Sequence, residues 1–291
     1  MTMEVACAAE GREYVAHSAA MLHSLLSHHG RGEVRIHYMH GPDLSVRDER
    51  RLASMVAHEG GEVSFLRIPD RKLRGLPTKG FTRKATWYRM FLPDLLPDVE
   101  KILYLDCDLI VLDSLSPLFE TDLAGSLVGA VTNVFQHNHL HRPADLGLAG
   151  PEVYFNAGVL LMNLEQMRAN GCTAALIDYG RANAAWLEWR DQDALNVVLG
   201  ERRVALHPRW NCMNSVLVFD RADDVFGAEA AAEARARPAI RHFEGPDTNK
   251  PWHHLCEDSL RELYLDHRRA TPWPRERRER LTFWRRKAVA V

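Results

Sequence analysis

Residues 101–113 read Lys-Ile-Leu-Tyr-Leu-Asp-Cys-Asp-Leu-Ile-Val-Leu-Asp. The apolar and aromatic run at 102–105 predicts a strand that is buried on both faces. Asp106 and Asp108 follow it, and regular strand alternation would point both carboxylates to the same side. Buried carboxylates are costly without a cation, and paired oxygen donors suit Mg²⁺ or Mn²⁺. The segment therefore predicts a metal site that holds a diphosphate.

An Asp-x-Asp pattern is short, and a solvated turn at the end of a strand would explain it equally simply. The apolar residues 109–112 continue directly after the pair. They make full solvation of Asp108 improbable, and for that reason the metal interpretation is favoured.

Composition describes an ordinary globular chain. It has 291 residues, 46% of them hydrophobic and 26% charged, which suits one large domain or two small ones. No apolar stretch approaches the roughly 18 residues of a membrane span, and the N-terminus does not resemble a secretory signal. Five scattered cysteines, none in a Cys-x-x-Cys pair, argue against a disulfide framework or a zinc cluster. They favour a cytoplasmic protein.

Positive charge is concentrated at the C-terminal end. The formal net charge is −2, yet residues 268–287 contain nine Lys or Arg against two Glu. Together with Trp273, Phe283 and Trp284, this end is typical either of a contact with an anionic membrane surface or of a solvated tail. The first alternative would place the protein peripherally on the inner face of the cytoplasmic membrane. No other basic patch or motif supports nucleic-acid binding.

Strands and helices alternate along the chain, which predicts an α/β fold with helices on the faces of a sheet. Residues 69–80 are rich in Gly and Pro and form a loop of the kind that closes over ligands. The predicted strands are 5–8, 34–38, 63–68, 102–105, 126–132, 155–163 and 239–243. The predicted helices are 15–29, 45–58, one through 87–90, 173–183, 191–199 and 254–265.

A second polar cluster lies in residues 241–252. His242 ends a predicted strand, Gly245 permits a close backbone approach to a ligand, and Lys250 could neutralise a phosphate. An imidazole is acceptable to Mn²⁺ but a poor ligand for Mg²⁺, so His242 favours manganese. An ordinary hydrogen-bonded histidine is the alternative.

Two further clusters carry polar groups at places where a ligand could be held. Asp191 and Gln192 begin a predicted helix, where they either reach a sugar or, with Asp193, complement the helix N-terminus. Asn156 is the polar residue within a buried predicted strand, and its amide either binds a ligand or bridges backbone groups.

These four segments, in this order, resemble glycosyltransferase family 8, especially the bacterial lipopolysaccharide galactosyl- and glucosyltransferases. The resemblance extends from residue 3 to about 255 and is carried by Lys-Ile-Leu-Tyr-Leu-Asp-Cys-Asp, Phe-Asn-Ala-Gly-Val-Leu-Leu-Met-Asn, Asp-Gln-Asp-Ala-Leu-Asn and His-Phe-Glu-Gly…Lys-Pro-Trp. It implies the GT-A nucleotide-sugar-binding fold, a Rossmann-like mixed sheet flanked by helices. It further implies a UDP-sugar donor, Mn²⁺ and retention of anomeric configuration. We expect a catalytic domain over 1–250 and a small, helical, basic-aromatic appendage over 251–291.

The resemblance also implies roles for individual residues. The metal ligands would be Asp106, Asp108 and His242. The catalytic residues would be Gln192, nearest the anomeric carbon, Asp191 and Arg89. The remaining donor contacts would come from Ala6, Cys7, Ala8, Glu10, Cys107 and Asn156, with Asp106 also facing the hexose and with Gly245 and Lys250 on the diphosphate.

Three features depart from the family pattern. The first loop reads Ala-Ala-Glu-Gly-Arg-Glu at 8–13, with an extra residue, where relatives usually carry aspartates, and Glu10 is the best substitute. Asn133 stands where some relatives have an aspartate near the acceptor. The stretch from Gly245 to Lys250 is about two residues longer than in close relatives.

The sequence therefore predicts a Mn²⁺-dependent hexosyltransferase acting on a glycan or lipid-linked saccharide. It does not distinguish a galactose donor from a glucose donor. Two alternatives belong to other classes. One is a phosphohydrolase with Asp106 as its nucleophile, although Leu109-Ile110-Val111 replaces the polar turn which that chemistry usually requires. The other is a non-catalytic UDP-sugar-binding protein, which the altered first loop favours.

Overall fold

The computed structural model describes residues 2–78, 84–257 and 259–274. Within these residues the strands are β1 (Met3–Ala9), β2 (Val34–His40), β3 (Glu62–Arg67), β4 (Lys101–Leu105), β5 (Leu109–Val111), β6 (Val128–Thr132), β7 (Phe155–Asn163), β8 (Arg203–Ala205), β9 (Cys212–Met213) and β10 (Ile240–His242). The α-helices are α1 (Arg12–Leu26), α2 (Val46–His58), α3 (Leu92–Leu95), α4 (Ser116–Phe119), α5 (Arg142–Asp145), α6 (Leu164–Ala169), α7 (Cys172–Ala182), α8 (Arg190–Leu199), α9 (Asn214–Val218), α10 (Arg221–Phe226), α11 (Ala228–Ala236) and α12 (Arg261–Ala270).

The main sheet has seven strands in the order β3-β2-β1-β4-β7-β6-β8. β1 pairs in parallel with β2 on one side and with β4 on the other, while β7 is antiparallel to both of its neighbours. The chain therefore runs outward from β1 through β2 and β3, then returns across β1 to form β4. The carboxyl ends of β1 and β4 flank this reversal, which is where open α/β sheets bind ligands. The predicted mixed α/β sheet is confirmed.

β4 has the predicted burial on both faces, since Leu103 and Leu105 belong to one hydrophobic core and Ile102 and Tyr104 to another. The strand ends at Leu105, however, and the chain bends at residues 107–108. Both aspartates therefore lie beyond the strand, and the bend sets their directions. Their side chains nevertheless converge, as the sequence predicted. The chain then leaves the main sheet to enter a second one.

The second sheet has three short strands in the order β5-β10-β9. β10 is antiparallel to β5, with His242 opposite Leu109, and the Phe243 N–H donates to the Asp108 carbonyl at 2.9 Å. This pairing brings a histidine from far along the chain beside the aspartate that precedes β5. The strand pairing in this small sheet, and not side-chain alternation along β4, therefore places His242 beside Asp108.

Two predicted helices differ from the structure. The one through 87–90 is a 3₁₀-helix, Lys84–Phe91. The one predicted at 254–265 is α12, which begins only at Arg261. Turns occupy the chain before it, because the His253 N–H bonds the Lys250 carbonyl and the Cys256 N–H bonds the His253 carbonyl.

The C-terminal helix α12 packs on α1, where the hydroxyl of Tyr264 lies 2.6 Å from Nδ1 of His17. Trp273 is 7% exposed, donates to Asp48 at 3.2 Å and lies beneath the guanidinium of Arg51. The expectation that Trp273 lies among membrane headgroups is therefore wrong. Phe283 and Trp284 lie outside the described residues, as do all the basic residues of this end beyond Arg269, and the division near residue 250 stays a prediction.

Among the described residues, no helix combines the length and the apolar character that crossing a membrane requires.

The buried amide of Asn196 makes a two-way attachment between helix α8 and the main sheet. The Asn196 side chain accepts a hydrogen bond from the Phe155 N–H at 2.7 Å and donates to the Phe155 carbonyl at 2.9 Å. The same NH₂ group donates to the Gln192 carbonyl at 2.9 Å. Asn196 is fully buried, so water cannot replace these bonds.

We expect Asn196→Ala to lower the free energy of unfolding by about 2–4 kcal/mol, because it leaves buried backbone groups of β7 without partners. Denaturant unfolding followed by circular dichroism measures this. Asn170→Ala, at an exposed helix end, is the matched control and should change stability by less than about 1 kcal/mol. Equal losses in the two variants would contradict the proposed attachment of α8.

Candidate active site

Three side chains converge at the carboxyl end of β4. Ligand atoms of Asp106, Asp108 and His242 all lie within 4.8 Å of one another. Among the described residues this is the one group of three or more His, Cys, Asp or Glu side chains that could hold a metal ion. The structure thus assembles the set that the sequence predicted, although His242 arrives through the small sheet.

Asp108 is held by two nitrogen groups. The Lys250 ammonium donates to Oδ2, and Nε2 of His242 lies 3.3 Å from Oδ1. Burial alone would raise the pKa of Asp108, but the charge of Lys250 and the contact with His242 outweigh it and lower that pKa far below its usual range. Asp108 is therefore an anion at any physiological pH.

His242 is oriented by a residue that the sequence analysis did not identify. Its Nδ1 lies 2.9 Å from Oδ1 of Asn211, whose NH₂ group donates to Oδ1 of Asn156 at 2.9 Å. An amide oxygen can only accept, so Nδ1 carries a proton, and this bond orients the ring so that Nε2 faces Asp108. Gly158 makes this geometry accessible, because a Cβ there would lie 2.2 Å from Cε1 of His242.

Arg89 joins the two sides of the site. Its guanidinium lies 3.1 Å from Asp106 and 3.2 Å from Asp191, and it also donates to the Ala157 carbonyl. The group is buried and stands over the ring of Tyr104, whose hydroxyl donates to Asp106 at 2.9 Å. Arg89 thus connects the metal cluster to the start of α8.

Asp191 is a buried carboxylate at the first turn of α8. Burial raises its pKa to about 6, although Arg89 opposes the change, and the nearby charge of Asp106 adds to it. The preceding residue, Arg190, has a φ of 51°, a left-handed conformation that is strained for a side chain of this size. The backbone bends sharply at the point where α8 presents Asp191 and Gln192.

The side chains of Gln192, in α8, and of Asn156, within β7, both accept hydrogen bonds from the backbone of β7. The Gln192 oxygen accepts from the Ala157 N–H at 3.0 Å, and its NH₂ group donates to the Tyr154 hydroxyl at 3.3 Å. Oδ1 of Asn156 accepts from the Gly158 N–H at 2.9 Å. Through this one oxygen Asn156 connects a single backbone N–H of β7 to the side chain of Asn211 and does not bridge two backbone groups.

The end of β1 offers few polar side chains that could contact a ligand. Ala6 and Cys7 are fully buried in the cores on either face of the sheet, so at this edge only backbone and the later loop could meet a ligand. The Cys107 thiol donates to the Ala8 carbonyl at 2.8 Å. Glu10 accepts from the Ala85 N–H at 3.3 Å, which directs its carboxylate towards the 3₁₀-helix that carries Arg89.

Gly245 has a φ of 93°, a conformation that only glycine adopts without strain. It lies three residues after His242, and the short 3₁₀-helix Asp247–Asn249 then leads into Lys250. The longer stretch between Gly245 and Lys250 does not keep Lys250 from the cluster, since the lysine contacts Asp108 directly.

The donor set fits a divalent metal. Two carboxylates and an imidazole with an available Nε2 supply oxygen and nitrogen ligands of the kind that Mn²⁺ accepts. Asn211 gives the imidazole the outer partner that metal-binding histidines usually have. The sequence could not identify Asn211, because it ends a short 3₁₀-helix, Pro208–Asn211, that has no recognisable pattern around it.

The fold is shared with a glycosyltransferase of known structure. The structure matches the crystal structure of the galactosyltransferase LgtC in complex with donor and acceptor sugar analogs, with a TM-score of 0.81 and 27% identity. The match covers 93% of this chain and 96% of the other. The expected GT-A nucleotide-sugar-binding fold is confirmed.

A model of glycosyl transferase family 8 matches residues 6–256, and the chain belongs to that family. General stress protein A of Bacillus subtilis is 29% identical over 275 residues, covering 92% of this chain and 93% of that protein. The lipopolysaccharide 1,3-galactosyltransferase of Salmonella typhimurium is 25% identical over 233 residues, covering 78% and 66%. The protein is a glycosyltransferase, and the phosphohydrolase alternative is not supported.

We expect Asn211→Leu to weaken Mn²⁺ binding about 10- to 100-fold, because the His242 ring loses the acceptor that fixes its proton on Nδ1. Titration followed by electron paramagnetic resonance measures the affinity, and thermal unfolding verifies that the variant folds. Asn211→Asp keeps an oxygen acceptor and should recover most of the affinity. A folded Asn211→Leu protein that binds Mn²⁺ as wild type does would show that the amide has no such role.

Proposed function

We propose that the protein is a retaining hexosyltransferase that uses Mn²⁺ to transfer galactose or glucose from a UDP-sugar to a glycan or lipid-linked saccharide. The observation that carries the proposal is the convergence of Asp106, Asp108 and His242 beside Lys250, at the strand-order reversal of the sheet. The relatives that act on lipopolysaccharide favour a saccharide acceptor of that type. All five cysteines are buried and lie outside disulfides, which fits activity in the cytoplasm.

The chemical problem is charge on the leaving group, since breaking the anomeric C–O bond leaves UDP with growing negative charge. A bound divalent metal would supply Lewis-acid stabilisation at the diphosphate. Mn²⁺ is favoured over Mg²⁺ because one of the three ligands is an imidazole. Lys250 and the backbone at Gly245 add a cation and a close approach for phosphate oxygens.

On the sugar side, Asp191 and Gln192 at the start of α8 would bind hexose hydroxyls. Arg89 is already paired with two carboxylates and donates to the carbonyls of Thr86 and Ala157, so it acts by positioning Asp106 and Asp191. Asn156 supports His242 through Asn211. The uridine would lie over the end of β1, between the backbone at Ala8 and the loop at Glu10.

Retention requires either two displacements through a carboxylate nucleophile or a reaction on one face. Asp191 is the candidate nucleophile, but it is buried against Arg89, which reduces its freedom to attack. We therefore favour a front-face reaction, in which a phosphate oxygen of the departing UDP accepts the proton of the acceptor hydroxyl.

If this is right, Asp191→Asn should lower kcat/KM for the donor about 10- to 100-fold through a lost hydroxyl contact. It should form no glycosyl azide when azide is added with the donor. Mass spectrometry of the products tests this, with wild type as reference. A glycosyl azide that only the variant produces would establish the double displacement instead.

The overall activity is tested by incubating the protein with a panel of nucleotide sugars and Mn²⁺ and measuring free nucleotide. UDP-galactose or UDP-glucose should give the highest rate, and Asp108→Asn should lower it by more than about 100-fold because a metal ligand is lost. The matched control is Asp113→Asn, since Asp113 is exposed, pairs with Arg209 and accepts from the Ser114 N–H. This control should keep activity within about twofold.

A second candidate is a non-catalytic UDP-sugar-binding protein, which the first loop favours because Ala8 and Ala9 offer no polar side chain and Glu10 binds Ala85. Calorimetric binding of a UDP-sugar without nucleotide release or transfer would support this candidate. Full turnover in excess chelator would contradict the metal-dependent mechanism altogether.

A further inference from the structure

Both carboxylate oxygens of Asp108 are engaged within the protein. Lys250 donates to Oδ2 and also to the Phe243 carbonyl at 2.9 Å, while His242 approaches Oδ1 at 3.3 Å. Lys250 is 8% exposed, so its ammonium is a buried cation inside the cluster, not a surface charge. In this arrangement the ammonium neutralises the charge of Asp108.

A divalent cation and this ammonium compete for the same carboxylate. The three candidate ligands lie within 4.8 Å of one another, so an ion between them would be close to the Nζ of Lys250. Two positive charges at such a distance in a partly buried site repel each other strongly. A divalent ion therefore binds well only if Lys250 gives up Oδ2 and finds another anion.

We propose that Lys250 is a displaceable internal cation that holds Asp108 until a divalent ion replaces it, and that an anionic diphosphate bound with the ion then receives the ammonium. This inference rests on the proposed function, because the diphosphate is the group that receives the lysine. It adds that the two ligands bind cooperatively and that Lys250 causes a large part of the coupling.

The surrounding structure limits the change to the lysine side chain. Two residues beyond Lys250, the Trp252 ring stacks on His17 with 3.6 Å between ring centroids. His17 is in turn fixed by Tyr264 at 2.6 Å. The backbone is anchored on this side, while the long, flexible lysine stem can carry the ammonium from Asp108 to a phosphate oxygen.

Mn²⁺ affinity measured by electron paramagnetic resonance, with and without UDP, tests the proposal. Without UDP, Lys250→Gln should bind Mn²⁺ about tenfold more tightly than wild type. UDP should increase Mn²⁺ affinity by a factor about tenfold larger in wild type than in the variant. Lys101→Gln, at the opposite end of β4, removes the same charge and should match wild type in both conditions.

The outcomes separate this inference from the proposed function. If Mn²⁺ binds but Lys250→Gln has the wild-type affinity without UDP, the displacement mechanism is wrong and the metal site stands. If no variant and no wild-type sample binds Mn²⁺ even with UDP, both fail.

A second measurement uses the wild-type protein, so it does not depend on a variant that folds. Saturating Mn²⁺ without UDP should release Lys250 and raise its labelling by an amine-reactive reagent at least about threefold relative to Lys101, as measured by mass spectrometry. Adding UDP should reduce that labelling again. Labelling of Lys250 that is indifferent to Mn²⁺ would overturn the proposal.

Discussion

The site depends on one buried ion-pair bridge, the guanidinium of Arg89 between Asp106 and Asp191. A buried arginine is stable only where its charge and its donors are matched, and here Arg89 faces two carboxylates and donates to the carbonyls of Thr86 and Ala157. Asp106 follows β4 and Asp191 begins α8, so this one side chain sets the distance between the cluster and the helix. The strained conformation of Arg190 is retained because Arg89 holds the next residue, Asp191, while Asn196 holds the rest of α8 against β7.

A second constraint is topological. One residue separates Asp106 from Asp108, yet Asp106 directly follows β4 of the main sheet and Asp108 directly precedes β5 of the small sheet. The antiparallel register of β5 with β10 then places His242 beside the second aspartate. Gly158 completes the arrangement from β7, because any side chain there would occupy the space of the imidazole. β5, β7 and β10 are distant in sequence, and together they define the space in which His242 lies beside Asp108.

The elements with strong local signals could be read from the sequence. The apolar run of β4, the long buried β7 and the helix at 190–199 each have a pattern that identifies them. The bend at 107–108 could not be predicted, because an apolar strand follows it and only pairing with β10 shows that the sheet has changed. Asn211 was missed for a related reason: its role comes from a contact with a residue 31 positions away. The candidate ligands themselves were identified through family resemblance and not through spacing alone.

The C-terminal helix has a consequence for how this chain can be shortened or fused. Tyr264 and Leu265 of α12 share a hydrophobic cluster with Ile110 of β5 and with Phe243, the residue that follows His242. The helix therefore packs against the small sheet and supports the segment that carries His242. A truncation placed before α12 would uncover the back of the small sheet. One placed directly after α12 would remove the buried ring of Trp273, so an engineered boundary belongs after Trp273.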